Sequence, residues 1–212
     1  MSSAHIGSVE MSTERHRFFA LPGLIGRVFR VVRGLPDRLR RQRRHLAARD
    51  RLSEMDRPRR LLVVCQGNVC RSPYLEAILK RAMPDVLIGS AGLGGEGRRV
   101  PAFALAVCAE RGLNLSTFRS RPLIPAVARN ADLIVVMDGY QGHYLERYYS
   151  VPRNRIVVAG DLDPAPCSSR AIEDPWGQPV DVFVSSFNRL DRCAAVMVSA
   201  LSHGSQRRSH PE

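Results

Sequence analysis

The fold of this chain is most strongly constrained by an apolar run that leads into a short glycine-containing loop and then into helix-forming residues. Leu61-Leu62-Val63-Val64 predicts a short buried strand. The loop then reads Cys65-Gln66-Gly67-Asn68-Val69-Cys70-Arg71-Ser72. Pro73, a residue favoured in the first helical turn, opens a run of good helix formers that reaches Met83. A strand, a tight loop and a helix N-terminus are therefore expected in immediate succession.

Such a loop has the chemistry of an anion site. Its inward amides and the helix N-terminus attract negative charge, and the Arg71 guanidinium fits two oxygens of a phosphate group. The same positive field favours the thiolate of Cys65, a candidate nucleophile. Gly67 permits a tight curl, Asn68 tolerates left-handed backbone angles, and Ser72 can donate a hydrogen bond to the sulfur. The predicted phosphate-binding residues beside Arg71 are Gln66, Gly67, Asn68, Val69, Cys70 and Ser72.

Cleavage of a phosphate ester also needs a proton donor that later acts as a base, and one carboxyl group can serve both steps. Two Asp-Pro pairs compete for this role, Asp163-Pro164 and Asp174-Pro175. We assign it to Asp174, because Trp176 beside it could form an aromatic wall for an aryl substrate. An ordinary packed indole remains the alternative for Trp176.

Strands and helices alternate from residue 61 onward. Strands are expected at 61–65, 86–90, 133–137 and 155–159, and helices at 73–83, 100–111, 123–129, 142–149 and 180–201. Alternation of this kind predicts an α/β fold with a four-stranded parallel sheet covered by helices on both faces. The phosphate-binding loop then lies at the carboxyl end of the first strand.

The segment from Cys65 to Pro73 resembles the signature of low-molecular-weight protein-tyrosine phosphatases. The resemblance covers about residues 59–203 and continues through Ser90-Ala91-Gly92, Ser120-Arg121, the stretch from Asp132 to Asp138, and Glu173-Asp174-Pro175-Trp176-Gly177. It implies that Cys65 is the nucleophile, Arg71 binds phosphate and Asp174 is the general acid. It also implies that Ser90 and Asn68 support the loop, and that Cys70 can trap oxidised Cys65 as a reversible disulfide. For Cys70, a small residue that faces the core is the alternative.

Two positions depart from the family pattern. Phe118 stands where many relatives have a histidine, which puts the loop-supporting network in doubt. The stretch from Leu93 to Arg99 has no aromatic residue to flank a substrate ring. Val69 favours phosphotyrosine, since relatives that act on arginine phosphate tend to have threonine there. The expected activity is metal-free hydrolysis of phosphotyrosine on proteins, with no cofactor and no cluster of metal-ligand spacing.

Other functions fit the sequence less well. An arsenate reductase of the same fold needs a close downstream cysteine pair, whereas Cys108 and Cys167 are 59 residues apart. A phosphatase for another phosphomonoester is a further alternative. A non-catalytic phosphoprotein-binding module is disfavoured, since Cys65, Arg71 and Asp174 are all present.

The excess of positive charge is concentrated in the first 60 residues. Residues 1–60 contain 15 arginines and 6 acidic residues, whereas residues 61–212 have 17 basic and 14 acidic ones. We therefore expect a basic, partly helical extension at 1–58, a phosphatase domain at 59–203 and a disordered tail at 204–212. Residues 1–17 are expected to be disordered, and an amphipathic helix beginning near Phe18 is expected to stop at Pro36. A mostly charged helix follows up to Leu52.

The extension suggests partners. Residues 18–52 could lie on an anionic membrane surface or bind an acidic partner. Alternatively, they could dock on the phosphatase domain, or be an upstream segment included by a misplaced start codon. By family analogy, one partner is a bacterial tyrosine kinase of polysaccharide assembly. Nucleic-acid binding is not expected, because the arginines lack a binding motif. Five cysteines without a paired pattern do not indicate a disulfide framework, so a cytoplasmic location is expected.

Overall fold

The computed structural model describes residues 23–167 and 169–209, with side chains at 39–167 and 169–202. Its helices are α1 (Gly23–Glu54), α2 (Arg71–Ala82), α3 (Ala102–Glu110), α4 (Pro125–Asn130), α5 (Gly139–Tyr149) and α6 (Val180–Ser209). Its strands are β1 (Arg60–Cys65), β2 (Leu87–Gly92), β3 (Leu133–Val136) and β4 (Ile156–Val158). Short 3-10 turns at Arg153–Arg155 and Ala159–Leu162 flank the last strand.

The four strands form one parallel sheet in the order β2-β1-β3-β4. The central strands are buried along almost their whole length, as apolar runs without polar alternation predict. In the β1–β2 pair, Val63 lies opposite Ser90 and Cys65 opposite Gly92. The carboxyl ends of β1 and β2 therefore meet at one edge of the sheet.

Successive residues of a strand point to opposite faces, and this alternation divides the core into two layers. Leu61, Val63 and Cys65 pack on the face covered by α2, α3 and α6. Leu62 and Val64 pack on the other face, with residues of α4 and α5. Helices thus cover both faces, which confirms the α/β architecture predicted from the sequence.

Most helices begin or end within three residues of their expected bounds, and two differ by more. Helix α1 continues through Pro36, where the sequence predicts a stop. A proline removes one hydrogen bond of the helical ladder and need not end the helix. Helix α6 starts at Val180 as predicted but extends to Ser209, so residues 204–209 of the expected disordered tail are helical. No proline occurs there until Pro211, and residues 210–212 lie outside the described part.

The second half of α1 packs on the α/β domain. Ala48 and Leu52 are buried in the same core as α2 and α6. Arg41 and His45 contact backbone carbonyls of the segment after β4. Docking, one of the alternatives for the extension, is therefore present for this part. The division at residue 58 stays a prediction, and residues 1–22, including the predicted disordered stretch, lie outside the described residues.

Candidate active site

The loop after β1 curls around the sulfur of Cys65. The Asn68 backbone amide donates a hydrogen bond to Cys65 Sγ at 3.2 Å, and Ser72 Oγ lies 3.0 Å from the same sulfur. Asn68 has a φ of 50°, a left-handed conformation that asparagine tolerates better than most residues. Arg71 begins α2, so the helix N-terminus lies directly behind the loop.

A network of buried hydrogen bonds supports the loop. Asn68 Nδ2 donates to Ser72 Oγ and to Ser90 Oγ, both at 2.8 Å, while its Oδ1 accepts from the Arg121 amide at 2.9 Å. Ser90 in turn donates to the carboxylate of Glu76 on α2. These side chains hold the loop against β2 and α2.

The network closes differently from the one that the family pattern suggests. Arg121 pairs with Glu76 at 2.8 Å, and its guanidinium lies 5.3 Å from the centre of the Phe118 ring. The ring at the expected histidine position therefore packs against a cation. Glu76 is buried in α2, as are its apolar neighbours Leu75 and Leu79. A single acidic residue within this mostly buried helix was the sequence signal for it.

Arg71 and Asp174 meet although 103 residues separate them. Arg71 Nη2 donates to the Asp174 carboxylate, and Nη1 donates to the Ile172 carbonyl at 2.9 Å. Arg71 is 4% exposed, and its Nε has no hydrogen-bond partner within the described part of the protein. A buried donor of this kind is available to an oxyanion in the loop.

Both groups open into one cavity of about 110 Å³. Its lining consists of Cys65, Gln66, Gly67, Val69, Cys70, Arg71, Arg98, Asp174 and Trp176. The predicted residues Asn68, Ser72 and Ser90 are buried and are not part of the cavity lining. The structure thus brings the predicted nucleophile, phosphate-binding arginine, acid and indole together.

The rival aspartate lies elsewhere. The Asp163 side chain is fully buried and accepts hydrogen bonds from Arg189 at 2.9 Å and from Arg192 at 2.8 Å. Burial would raise the pKa of Asp163, but hydrogen bonds from Arg192 and the Ala165 amide, with the charges of both arginines, lower it overall. This carboxylate is occupied in a structural ion pair, whereas the Asp174 side chain is 43% exposed at the cavity.

The two loop cysteines differ in their surroundings. Both are buried and free. Burial, together with the nearby charges of Asp174 and Cys65, raises the pKa of Cys70 to about 12. Cys70 is therefore a neutral thiol at physiological pH. The reversible disulfide with Cys65, which the family resemblance implies for Cys70, stays a hypothesis.

Arg98 is a cavity residue that sequence reasoning missed. Its guanidinium lies 4.3 Å from the centre of the Trp176 ring, and both side chains line the cavity. The glycine-rich stretch at 94–97 indicated a loop without bulky side chains. Nothing in that pattern says which of the two consecutive arginines, Arg98 or Arg99, turns toward the cavity.

The described residues contain no cluster of three or more histidines, cysteines and carboxylates that could hold a metal ion. In the same part of the chain, no helix is long and apolar enough to cross a membrane.

Comparison with known proteins agrees with this geometry. The chain is 33% identical over 144 residues to a low molecular weight protein-tyrosine-phosphatase, Wzb, of Salmonella typhi, covering 68% of this chain and 94% of that protein. It is 31% identical over 133 residues to a probable low molecular weight protein-tyrosine-phosphatase, EpsP, of Ralstonia nicotianae, covering 62% and 88%.

A solved structure is similar to this chain in fold as well as in sequence. The tyrosine phosphatase amsI of Erwinia amylovora superposes with a TM-score of 0.63 at 32% identity, over 68% of this chain and 94% of that chain. The sequence model of the family described as low molecular weight phosphotyrosine protein phosphatase matches residues 60–207. That match includes the loop from Cys65 to Ser72 and the Asp174 segment. The chain therefore belongs to the low molecular weight phosphotyrosine protein phosphatase family, whose members are phosphoric monoester hydrolases.

Proposed function

We propose that this protein hydrolyses phosphotyrosine on proteins through a cysteinyl-phosphate intermediate. The observation that carries the proposal is the shared cavity, in which Cys65, Arg71 and Asp174 converge around a loop with an inward amide. Its Arg71 guanidinium matches the charge and fork geometry of a phosphate group. The likeness to proteins named tyrosine phosphatases supports the substrate class.

The residues of the cavity have distinct roles in the proposed reaction. Cys65 Sγ attacks phosphorus as the bond from phosphorus to the tyrosine oxygen breaks, and Asp174 gives its proton to that oxygen. Arg71 and the loop amides hold the three remaining phosphate oxygens. Water then attacks phosphorus and loses a proton to Asp174, while the sulfur leaves as a thiolate. The Ser72 hydroxyl and the Asn68 amide stabilise that thiolate.

Release of phosphate from a phosphotyrosine peptide and from para-nitrophenyl phosphate tests the proposal. Without added metal, we expect turnover by wild type and none by Cys65→Ser. Asp174→Asn should lower kcat by about 100-fold or more, because a positioned general acid contributes at least that much. Cys167→Ser and Asp181→Asn are matched controls outside the cavity. Full activity of Cys65→Ser would contradict the mechanism.

An arsenate reductase is not favoured. Relay of electrons from Cys65 requires two further thiols within reach. Of the three cysteines outside the loop, Cys108 and Cys193 lie in the hydrophobic core and Cys167 lines a separate groove. A relay through them would require the core to open.

We further infer that the substrates include a bacterial tyrosine kinase of polysaccharide assembly. We also infer that residues 18–52 bring the enzyme to a membrane surface from the cytoplasmic side. The basic amphipathic pattern supports the membrane contact. Docking of Ala48 and Leu52 limits it to the exposed positions of α1, which include Leu39 and Leu46.

Sedimentation with anionic liposomes tests the membrane contact. The full chain should sediment, and the triple variant Arg27→Glu, Arg30→Glu, Arg33→Glu should stay in the supernatant. In the control, three arginines of the phosphatase domain are replaced by glutamate. They are Arg129, Arg147 and Arg155. Equal sedimentation of the two triple variants would contradict the contact.

A further inference from the structure

Arg98 places a positive charge at the mouth of the catalytic cavity. Its guanidinium stacks 4.3 Å from the centre of the Trp176 ring, and both side chains line the cavity with Cys65. Among the described residues, no carboxylate forms an ion pair with Arg98. The contact with the indole holds the cation in place without neutralising it.

The fold fixes this arginine in position. The Arg98 amide donates to Ser120 Oγ at 2.9 Å, and its carbonyl accepts from the Ser120 amide at 3.0 Å. Ser120 is buried, so the backbone of Arg98 is attached to a rigid neighbour.

Two glycines leave room for the side chain. A methyl group at Gly67 would lie 3.2 Å from Arg98 Nη1, and one at Gly95 would lie 2.9 Å from Arg98 Cδ. The side chain therefore crosses both glycines on its way to the indole. Its path passes directly over the phosphate-binding loop.

The charges nearby leave Arg98 unbalanced. Arg71 and Asp174 pair with one another inside the cavity. Glu173, next to Asp174 in sequence, lines a separate groove with Asp181 and Arg192. Among the residues that line the cavity, Arg98 is thus the charged arginine without an ion-pair partner.

We propose that Arg98 is a specificity-determining residue that selects phosphotyrosine peptides with a carboxylate next to the phosphotyrosine. This inference rests on the proposed function. A guanidinium has donors around the edge of its plane, so one face can stack on Trp176 while the edge binds a carboxylate. With Trp176, Arg98 also takes the place of the aromatic residue absent from the stretch at 93–99.

The test compares kcat/KM for three phosphotyrosine peptides that differ only in the residues beside the phosphotyrosine, which are glutamate, alanine or lysine. We expect wild type to prefer the glutamate peptide over the lysine peptide. Arg98→Gln should reduce that ratio by about threefold to fivefold, the range of a partly exposed ion pair. Arg98→Glu should reverse it. Raising the salt from 0.05 to 0.5 M should weaken the wild-type preference, because screening shortens the reach of charges.

Arg99→Glu is the matched control, since it makes the same charge change one residue away at an exposed position outside the cavity lining. It should keep the wild-type ratio. Equal ratios in Arg98→Glu and Arg99→Glu would overturn the inference, as would a wild-type enzyme without preference among the peptides. If Arg98→Glu fails to fold, Arg98→Gln decides. Absence of wild-type turnover on the peptides and on para-nitrophenyl phosphate would instead overturn the proposed function itself.

Discussion

At the residue scale, Gly92 shows how a missing side chain shapes the site. It is the last residue of β2 and lies opposite Cys65 in the sheet. A methyl group on it would lie 3.0 Å from the Asn68 amide nitrogen, from Asn68 Cβ and from the Gly67 carbonyl carbon. Two of these atoms belong to the backbone, which cannot swing aside. The phosphate-binding loop thus rests directly on this glycine.

Gly92→Ala should therefore lower kcat/KM on para-nitrophenyl phosphate by about tenfold or more, because it displaces the amide that contacts Cys65 Sγ. Gly89→Ala in the same strand is the control, since a methyl group there meets nothing within 4 Å. It should retain wild-type kinetics. Normal activity of Gly92→Ala would show that the loop adapts and would contradict this account.

At the element scale, the second half of α1 braces the segment between β4 and α6, which carries Asp174. Arg41 Nη2 donates to the carbonyls of Asp163 and Ala165, and His45 Nδ1 lies 3.0 Å from the Asp161 carbonyl. Arg44 also approaches the Asp161 carboxylate at 3.7 Å. Polar side chains on successive turns of the helix thus contact residues 161–165 of this connection.

Arg41→Ala should lower the free energy of unfolding by about 1–3 kcal/mol, since it leaves two partly buried carbonyls without their charged donor. Urea denaturation followed by circular dichroism measures the change. Arg43→Ala is the matched control, because Arg43 is exposed on the same helix and the change in helix propensity is identical. If the two variants are equally stable, α1 does not brace this segment.

At the scale of the whole molecule, the buried carboxylate of Asp163 joins α6 to the segment after β4. It accepts hydrogen bonds from Arg189 and Arg192 on α6, and Arg189 also donates to the carbonyls of Ser169 and Ala171. These bonds hold Asp163, Ser169 and Ala171 against α6, and Asp174 follows three residues after Ala171. Asp163 thus supports the site without entering it.

The lowered pKa of Asp163 links this ion pair to acid stability. Folding favours the ionised form, so the pair stabilises the protein fully above the unfolded pKa of about 3.9, and this contribution is lost as the pH falls through the lower folded value. Asp163→Asn should cost about 3–5 kcal/mol at pH 7, because it leaves two arginines without their counter-ion.

Denaturation at a series of pH values measures this linkage. The difference between wild type and Asp163→Asn should stay constant above about pH 5 and shrink below about pH 4. Asp138→Asn, at an N-cap where the amide oxygen can still accept from Gln141, is the control and should leave the acid slope unchanged. A difference that persists unchanged at low pH would contradict the assignment.

Features of the fold that depend on residues close together in the sequence could be predicted, whereas features that depend on distant segments could not. The β1 strand was predicted at 61–65 and is observed at Arg60–Cys65, and α6 begins at Val180 as expected. Apolar runs and turn residues carry these signals locally. The end of α6 and the passage of α1 through Pro36 were missed, because a single residue rarely decides where a helix stops once tertiary contacts stabilise it.

The sequence by itself determined the chemistry of the loop. Cys65, Arg71 and the residues between them are adjacent in the chain, so strand, loop and helix geometry alone bring them around one centre. Only the tertiary structure decided what meets that loop. It brought Asp174, which the sequence had favoured over Asp163, into contact with Arg71, and it placed Arg98 on Trp176. The physical reason is that contacts between distant segments depend on the strand order and on helix packing, which no local pattern of residues encodes.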